Sequence, residues 1–564
     1  MVEFISYQIA SNDFRRAGAA SRAIKEHLKR VGADPEATRR AVIAAYEAEM
    51  NVVIHSVGGR MDAALSDSRL DVTVSDEGPG IADIGLAMTE GFSTASPEAR
   101  ALGFGAGMGL PNIKKNADHL RITSKLGKGT RLSFTVFLKP ATAAPETRLV
   151  SLQASPDRCR DCRACLRACP TQAMRVRDSR PMILEHLCID CAECIAACKP
   201  GALAVRDDAP SVEHIENRAE TVLVVPPGLL ASCGPDHSPS QVLAALESLG
   251  FAEVLVSAPF EQSLPSAAQA VGDNPLPTIL PVCPAVINLV ELRFPALLKH
   301  IAPYDSPWEA IQAVCQNRPT AYVVSCPAQR SAVLVHHSPA EGEPDHEPVF
   351  LTPDAVRQAV MTYLAGQKQG PRLTTSANGR SITFPRRSTE PEVNRELRLL
   401  RVTGIRHVAA VFERAEDLLL EDVRVIEPYA CPGGCMGSPL VPEEYYVARF
   451  RWELDPVEAP AGSEVSGVQE SAASVQPLPR RKPLRPRPGI RLDPDMARAI
   501  EKLGKLQEII RTLPGKDCGV CGAPSCAALA EDVVMDRANI NRCPYIDRAQ
   551  EDQTNETERT GQSS

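Results

Sequence analysis

The cysteines constrain this chain more than any other feature, because sixteen of its eighteen fall into spacings that bind iron–sulfur clusters. Residues 159–170 read CRDCRACLRACP and residues 188–198 read CIDCAECIAAC, so the pattern C-x2-C-x2-C-x3-C occurs twice. Each run supplies four thiolates around a small loop, as the corners of a [4Fe-4S] cubane require. A disulfide framework suits small secreted chains, and C-x2-C pairs can also bind zinc. The cysteine spacing of these two runs favours the cubane over both disulfides and zinc.

The length and charge of the chain bound the remaining possibilities. A chain of 564 residues is too long for one hydrophobic core, so several domains are expected. The formal net charge of −8 gives no electrostatic footprint for nucleic acid, and no nucleic-acid partner is predicted. We find no basic, apolar export signal and no apolar run of about 18 residues, so no membrane span is predicted. Thiolate spacings without an export signal indicate a reducing cytoplasm.

The two cysteine runs resemble the two-cluster ferredoxin fold. We place this βαβ-type 2[4Fe-4S] module at residues 150–208. In that family the fourth cysteine of each run crosses to the other cluster. The resemblance therefore implies one cluster on Cys159, Cys162, Cys165 and Cys198, and a second cluster on Cys188, Cys191, Cys194 and Cys169.

The N-terminal region carries no ligand cysteine and has glycine-rich boxes instead. Glu47 and Asn51 lie four residues apart on a predicted helix over 35–56, and DEGPGI follows an alternating strand at 70–75. The stretch GFGAGMGLPNIKK at 103–115 precedes a further GKGT. A strand-end aspartate can accept a hydrogen bond from adenine, a helical asparagine can bind Mg²⁺, and glycines let backbone N–H groups approach phosphates. Turns and a helix cap are the alternative explanation for such loops.

Together the four boxes resemble the ATP-binding fold of the gyrase, Hsp90, histidine-kinase and MutL group (GHKL), and most closely its anti-sigma-factor serine kinases. The resemblance implies an α/β sandwich at residues 1–140 that binds ATP with Mg²⁺. It makes Glu47 the catalytic residue, which positions a nucleophile, and Asn51 the Mg²⁺ ligand. His55 is expected in the packing face of the helix. The other implied ATP-binding residues are Asp76, Gly78 and Gly80 of the adenine box, Gly103, Gly105, Gly107 and Gly109 of the phosphate lid, and Gly127, Gly129 and Thr130 of the last box.

Residues 209–455 alternate strands and helices, as TVLVVPPG at 221–228 and AEVLVSAP at 252–259 illustrate, and so predict an α/β domain. Its motifs LPVCPAV, VVSCPAQ and EPYACPGGCMG resemble the large-subunit catalytic domain of [FeFe] hydrogenases. Four structural cysteines without metal are the alternative. The resemblance implies a third [4Fe-4S] cluster on Cys283, Cys326, Cys431 and Cys435.

The residues that serve the di-iron centre in active hydrogenases are missing. The first motif of that family has an additional cysteine, which relays protons, where this chain has Val282. The lysine that anchors a cyanide ligand is Gln329 here, and two methionines are replaced by Val324 and Tyr429. Without a proton carrier and a cyanide anchor, the domain is expected to do no hydrogen chemistry.

The C-terminal part follows a Pro-rich segment at 456–490, predicted as an extended linker or, alternatively, as a basic arm for an acidic partner. Residues 491–550 combine a helix with the spacing C-x2-C-x4-C-x16-C. They resemble the small, α-rich four-cysteine domain of Rnf-type electron-transport subunits and of the corrinoid iron–sulfur protein. The tail at 551–564 is predicted to be disordered, and Cys233 and Cys315 are predicted to be core residues. The implied ligands of a fourth [4Fe-4S] cluster are Cys518, Cys521, Cys526 and Cys543.

The sequence therefore predicts a multidomain α/β and α+β protein with four [4Fe-4S] clusters and ATP with Mg²⁺. The main interpretation is a cytoplasmic redox sensor or electron-transfer regulator that couples the clusters to an anti-sigma, serine-kinase-like ATP domain. The alternative is an electron-transfer subunit of an oxidoreductase complex with an ATP-gated module. The ATP domain would transfer phosphate to a protein serine, hydrolyse ATP or act as a nucleotide-binding switch. The expected partners are a redox partner protein and an anti-anti-sigma-like or phosphatase regulatory protein.

Overall fold

The chain folds into two compact units, Met1–Glu146 with Pro486–Ser564 and Thr147–Arg485. The first unit therefore joins the two ends of the chain. Among the described helices, none has the length and apolar character needed to cross a bilayer. The computed structural model describes residues 2–94, 107–138, 150–206, 208–209, 211–267, 274–337, 346–367, 398–454, 476–487, 489 and 491–546.

The N-terminal region is an antiparallel sheet packed against helices. The sheet order is β1-β2-β3-β5-β4, and every neighbouring pair is antiparallel. Every second residue of the central strands is buried in the core under the helices, because successive side chains of a strand point to opposite faces. The elements are β1 (Glu3–Ala10), α1 (Ala19–Arg30), α2 (Pro35–His55), β2 (Gly58–Leu65), β3 (Arg69–Asp76), α3 (Ile84–Ala87), α4 (Gly109–Asn116), β4 (His119–Lys125) and β5 (Gly129–Phe137).

Helix α1 is fixed to α2 by a buried carboxylate. Its N-cap, Gly18, offers no side-chain cap. Glu49 on α2 takes that role, because its carboxylate accepts hydrogen bonds from the backbone N–H groups of Ala20 and Ser21 at 3.2 and 3.1 Å. A negative charge at a helix N-terminus complements the helix dipole and pairs N–H groups that have no partner within the helix.

The ferredoxin-like region repeats one local conformation in its two halves. Asp161 and Arg163 in the first cysteine run have positive φ angles of 50° and 60°, and Asp190 and Ala192 have 57° and 65° at the equivalent positions. These left-handed residues bend each loop around one point before a short helix. The strands pair as β6 with β9 and β7 with β8, both antiparallel. The elements are β6 (Leu152–Ala154), α5 (Ala164–Ala168), β7 (Met174–Arg177), β8 (Arg180–Ile183), α6 (Glu193–Ala197) and β9 (Leu203–Val205).

The rest of the second unit confirms the predicted α/β architecture, with two parallel sheets of order β11-β10-β13-β14 and β12-β16-β15. Strand β10 is buried along its whole length, which explains its unbroken apolar run VLVV. The elements are β10 (Val222–Val225), α7 (Pro227–Leu230), α8 (Pro239–Glu247), β11 (Glu253–Val256), α9 (Ala258–Ala267), β12 (Thr278–Ile279), α10 (Pro284–Arg293), α11 (Pro307–Val314), β13 (Thr320–Val323), α12 (Pro327–His336), β14 (Val349–Leu351), α13 (Pro353–Gln367), β15 (Leu399–Thr403), α14 (Ile405–Glu416), β16 (Val425–Tyr429) and α15 (Tyr445–Leu454).

Residues 476–485 of the Pro-rich segment belong to the second unit. Arg481 Nε lies 2.6 Å from the Oδ2 atom of the buried Asp305, and its Nη1 donates to Gln312 at 3.0 Å. Arg480 Nη1 lies 3.5 Å from Glu309 Oε2. Arg480 and Arg481 therefore pair with acidic side chains of their own chain.

The C-terminal region contributes α16 (Met496–Thr512) and α17 (Cys526–Val534) to the first unit. Asp495 caps α16 by accepting from the backbone N–H of Arg498 at 2.9 Å. The apolar residues of both helices belong to the same hydrophobic core as α1, α2 and the sheet. The first unit is therefore one packed body made from both ends of the chain.

His27 on α1 is buried where α1 meets α16. Its Nε2 lies 2.7 Å from Gln507 Nε2, which donates to it. Burial lowers the pKa of His27 to about 4, the positive charge of Arg30 adds to this, and Glu26 opposes it. Arg30 is in turn paired with Glu531 of α17. His27 is thus neutral in the folded protein near pH 7.

This histidine should make the first unit less stable in mild acid. Between about pH 6.5 and pH 4 the unfolded histidine binds a proton that the folded one does not, so the unfolding free energy falls as the pH falls, by on the order of 3 kcal/mol in total. Calorimetric melting of the full chain should show this loss, and His27→Gln should flatten it. Identical pH dependence in the two proteins would refute the assignment.

Candidate nucleotide and iron–sulfur sites

The two residues predicted to bind metal and position a nucleophile lie together on α2. Glu47 and Asn51 are one turn apart and both approach Gly109 at the start of α4. A Cβ atom on Gly109 would lie 3.0 Å from Asn51 Oδ1 and 3.4 Å from Glu47 Oε2. Glycine therefore lets the end of the glycine-rich lid meet the helix that carries both side chains.

Glu47 has a partner that the sequence did not reveal. Its Oε1 accepts a hydrogen bond from Asn112 Nδ2 at 2.7 Å. Burial raises the pKa of Glu47, and the hydrogen bond from Asn112 opposes this rise. A carboxylate with a raised pKa is suited to accept a proton from a nucleophile. Asn112 stands three residues after Gly109 in GLPNIKK, where no motif distinguishes it from any other residue in the first turn of a helix.

Asn51 carries an unsatisfied polar group. Its Nδ2 is buried and has no hydrogen-bond partner among the described residues. Leaving a buried amide unpaired costs free energy. A side-chain amide can present either its oxygen or its nitrogen to a ligand, and oxygen is the atom that Mg²⁺ binds. The position thus fits a residue whose partner would be a Mg²⁺ ion.

Asp76 ends β3, and two donors hold its carboxylate. Its Oδ1 accepts from the Gly78 N–H at 2.8 Å and from Ser56 Oγ at 3.1 Å. A Cβ atom on Gly78 would lie 2.8 Å from that same oxygen, so the turn closes tightly over the strand end. The carboxylate is thus oriented where it can accept a hydrogen bond from an adenine amino group.

The last box packs directly on the adenine box. Gly129 has φ +85°, and a Cβ atom there would lie 1.9 Å from the Asp76 carbonyl oxygen. Thr130 Oγ1 lies 2.9 Å from Ser124 Oγ, which also accepts from the Ile81 N–H at 2.7 Å. The structure therefore brings the helix α2 pair, the adenine box and the last box into one fold region.

Part of the phosphate lid lies outside the described residues, namely Gly103 and Gly105. Of the remaining box glycines, Gly107 accepts a backbone hydrogen bond from the Gly91 N–H at 3.1 Å. Gly80 and Gly127 have positive φ angles of 75° and 69°, and Gly127 lies in the turn between β4 and β5.

Cysteines of the two ferredoxin runs stand beside one another across the runs. Burial and the neighbouring thiols of Cys198 and Cys162 raise the pKa of Cys165 to about 11, so a cysteine of the second run stands beside two of the first. Conversely, Cys169 of the first run stands beside three cysteines of the second. Besides burial, its thiol raises the pKa of Cys188, Cys191 and Cys194.

Backbone N–H groups point at these sulfur atoms in both halves. Ala173 N–H donates to Cys169 Sγ and Ala202 N–H donates to Cys198 Sγ, each at 3.2 Å and each four residues after its cysteine. Such donors stabilise negative charge on sulfur and tune the potential of a bound cluster. Crowded thiols that repel each other as thiolates, together with N–H donors, fit a cationic iron centre. Cys159 directly precedes this arrangement, after a 3-10 turn.

The third set lies at helix ends of the second unit. Cys283 and Cys326 occupy the N-cap positions of α10 and α12. Burial raises the pKa of both thiols, and the backbone N–H groups at the helix starts oppose this rise. Burial and these two thiols raise the pKa of Cys431. Cys435 follows in the 3-10 turn Gly434–Gly437.

This third set adjoins the ferredoxin-like region within the second unit. The carboxylate of Asp190 contributes to the raised pKa of Cys326, and that of Glu193 contributes to the raised pKa of Cys431. Asn288 Nδ2 on α10 donates to the Ile189 carbonyl at 3.1 Å, which ties the two regions together.

The fourth set lies in the first unit. Burial and the thiols of Cys543 and Cys518 raise the pKa of Cys521. Cys526 begins α17, and its N–H donates to Asp517 Oδ1 at 2.6 Å. Within the described part of the chain, no three His, Cys, Asp or Glu side chains converge tightly enough to bind one metal ion. A cubane needs a wider spacing, because each thiolate binds a separate iron.

Three residues at which the sequence departs from the hydrogenase motifs are buried in the protein. Val282 is buried, and Gln329 Oε1 accepts a hydrogen bond from the Ser325 N–H at 2.6 Å. Tyr429 donates through its hydroxyl to the buried Glu427 at 2.8 Å. None of these three side chains offers an ammonium group or a thiol.

Comparison with known proteins finds four family models along the chain. Their descriptions are "Histidine kinase-like ATPase domain" at 10–136, "4Fe-4S dicluster domain" at 158–203, "Iron only hydrogenase large subunit, C-terminal domain" at 220–333 and "Putative Fe-S cluster" at 513–545. The third of these matches ends before Cys431 and Cys435, so it covers two of the four cysteines in the third set.

Among curated proteins, the anti-sigma F factor of Caldanaerobacter subterraneus subsp. tengcongensis is 32% identical over 103 residues, which are 18% of this chain and 64% of that protein. The serine/threonine-protein kinase RsbT of Bacillus subtilis is 36% identical over 70 residues, 12% of this chain and 47% of that protein. The chain thus spans less than two thirds of either relative. The corrinoid/iron-sulfur protein large subunit of Moorella thermoacetica is 43% identical over 42 residues, 7% of this chain and 9% of that protein.

Among solved structures, the [FeFe]-hydrogenase HydA(deltaEFG) shares 13% identity with a TM-score of 0.34, covering 47% of this chain and 89% of that chain. HydA1 from Chlamydomonas reinhardtii shares 14% identity with a TM-score of 0.30, covering 45% and 86%. The matches to family models and curated relatives confirm the predicted fusion. The chain joins a histidine kinase-like ATPase region similar to anti-sigma factors, a two-cluster ferredoxin region, a region similar to the large subunit of iron-only hydrogenases and a C-terminal iron–sulfur region.

Proposed function

We propose that this protein is a cytoplasmic iron–sulfur redox regulator in which four [4Fe-4S] clusters control an ATP-binding, serine-kinase-like domain. One observation carries the proposal. Helix α2, which carries the candidate residues Glu47 and Asn51, and helix α17, which begins at Cys526, share one hydrophobic core in the first unit. Two sites in one packed body are linked if the ligand of each favours the same arrangement, and that linkage is reciprocal.

The residues present fit both cofactors. The buried amide of Asn51 and the carboxylate of Glu47 would hold Mg²⁺·ATP and orient a nucleophile, and Asp76 would accept from adenine. Bound clusters would supply one-electron storage, and the thiol sets and their N–H donors would hold them. The proposed output is transfer of the γ-phosphate to a protein serine, with an anti-anti-sigma-like or phosphatase regulator as partner.

The experiment is a binding measurement on the full chain purified without oxygen. Titration calorimetry with Mg²⁺·ATP should give different dissociation constants for the air-free oxidised protein and for protein reduced by dithionite, by about fivefold or more. Equal dissociation constants in the two states would reject redox control while leaving ATP binding intact.

The hydrogenase-like region is proposed to do no hydrogen chemistry. Val282 offers no ionisable proton, and Gln329 offers no ammonium for a cyanide ligand. After maturation with a di-iron cofactor, infrared spectra should therefore lack CO and CN⁻ bands. Clear bands, or H₂ evolution above that of a Cys283→Ala variant, would restore the hydrogenase interpretation.

A second candidate function is electron transfer within an oxidoreductase complex, with the ATP domain as a gate. The observation in its favour is that the three thiol sets of the second unit neighbour one another. The Cys165 thiol contributes to the raised pKa of Cys194 in the other ferredoxin run. Asn288, on the helix that follows Cys283, donates to the carbonyl of Ile189, the residue after Cys188. Rapid electron exchange with a redox partner whose rate changes on addition of Mg²⁺·ATP, without phosphate transfer to a protein serine, would favour this function over regulation.

A further inference from the structure

The C-terminal four-cysteine region is built into the nucleotide-binding region. One hydrophobic core contains Ile24 and Leu28 of α1 together with Ile500 and Leu503 of α16 and Leu529 of α17, each at most 1% exposed. A shared core of this kind cannot separate without exposing apolar surface from both sides, so the two regions fold and move as one body.

A buried ion pair also joins α1 to α17. Arg30 on α1 reaches Glu531 on α17 through Nε and Nη2, each 3.2 Å from Oε1, and the two side chains are only 17% and 7% exposed. The Arg30 carbonyl also accepts from the Leu492 N–H at 3.0 Å. A buried charge that loses its partner is strongly destabilised, so α1 and α17 are held in one register.

The ligand thiols touch the same core. Cys543 is one of its buried members, and Cys521 and Cys526 pack against it. Helix α17, which carries Glu531, begins at Cys526 itself. The thiols that would hold the fourth cluster therefore set the position of the helix that pairs with α1.

The other end of α1 is held against α2, the helix that carries Glu47 and Asn51. Glu49 on α2 holds the first turn of α1 through the N–H groups of Ala20 and Ser21. Glu49 stands two residues from both Glu47 and Asn51 and therefore projects from the opposite face of α2. A shift of α1 therefore acts on the segment of α2 that carries the two candidate nucleotide residues.

We propose that α1 transmits the state of the fourth cluster to the nucleotide site, so that the C-terminal cysteines, rather than those of the ferredoxin region, set the affinity for Mg²⁺·ATP. This inference rests on the proposed function and identifies the fourth cluster as the one that controls Mg²⁺·ATP binding. With the cluster bound, α17 and the Arg30–Glu531 pair hold α1 against α2 and favour binding. Loss of the cluster loosens α17 and lowers the affinity.

The test compares full-length proteins prepared without oxygen, with Mg²⁺·ATP affinity measured by calorimetry and iron counted in each. Cys518→Ser, at an exposed ligand position, should lose about four irons and bind Mg²⁺·ATP about fivefold or more weakly. Cys165→Ser should lose iron from the ferredoxin region and leave the affinity within about twofold. Arg30→Gln should weaken binding with the iron content unchanged, and combining it with Cys518→Ser should add little, because both act through one contact.

A control variant and a second measurement distinguish the proposed coupling from a general loss of stability. Lys505→Gln removes an exposed ion pair with Glu501 on α16 and should change nothing. Backbone hydrogen exchange in α1 should speed up in Cys518→Ser and in Arg30→Gln, which reports the coupling independently of binding. Unchanged affinity and unchanged α1 exchange in Cys518→Ser would overturn the inference. If affinity instead falls only in Cys165→Ser, redox control survives and this route fails; if the parent protein does not bind Mg²⁺·ATP, the proposed function itself fails.

Discussion

Asn51→Ala is expected to weaken Mg²⁺·ATP binding about 10- to 100-fold, because the variant removes the side-chain oxygen that would bind the metal. The Asn51 Nδ2 atom is buried and has no hydrogen-bond partner among the described residues, so the variant loses no hydrogen bond made by that atom. Calorimetry on the full chain measures the loss directly. The variant should melt at the parent temperature or above, since removing an unsatisfied buried amide does not destabilise the fold.

Glu47→Gln provides the matched contrast one turn away. Its Oε1 pairs with Asn112 in the structure, so a glutamine at the same place keeps the size and one acceptor. We expect Mg²⁺·ATP binding within about threefold of the parent and phosphate transfer or hydrolysis reduced about 10²- to 10⁴-fold. Equal binding by Asn51→Ala and the parent would show that the metal is held elsewhere. Undiminished turnover in Glu47→Gln would remove Glu47 from the chemistry.

The second prediction with a large expected effect concerns the iron content of the protein. Four sets of four thiols predict about sixteen irons per chain when the protein is prepared without oxygen. Removing one ligand from any set should cost about four irons and leave the other twelve or so in place. The measurement is iron and zinc analysis with electron paramagnetic resonance of the reduced protein.

The chain supplies its own control cysteines. Cys233 and Cys315 are buried in apolar clusters of the second unit and belong to none of the four sets. Cys233→Ala and Cys315→Ala should therefore retain all of the iron. Iron near eight per chain, with zinc making up the remainder, would contradict the assignment of the third and fourth sets.

Features set by local pattern were predictable from the sequence. The strand at 70–75 and the helix at 35–56 appear as β3 and α2, because alternation and helical periodicity report burial directly. The fusion of four regions was equally accessible, since each carries its own motif. Strand β1 alternates as EFISYQIA but was not predicted, because a single short edge strand stands out only when its partner is known.

Long-range contacts were not predictable. Arg30 and Glu531 are 501 residues apart in the sequence, and no local pattern relates them. The cap that Glu49 provides for α1 and the hydrogen bond from Asn112 to Glu47 are likewise made between elements. A motif names the residue that touches a ligand, whereas the residue that positions it is fixed only by the packed fold.

The most direct test of the central claim is the reciprocal of the binding experiment: the midpoint potentials of the clusters in the full chain, with and without saturating Mg²⁺·ATP. Linkage requires that a tenfold difference in ATP affinity between oxidised and reduced protein shift a one-electron potential by about 59 mV. We predict a shift of at least about 40 mV in one cluster, the potential equivalent of a fivefold difference in affinity. We also predict that Asn51→Ala abolishes the shift under the same conditions. Potentials that are the same with and without Mg²⁺·ATP, in protein shown to bind it, would contradict the account.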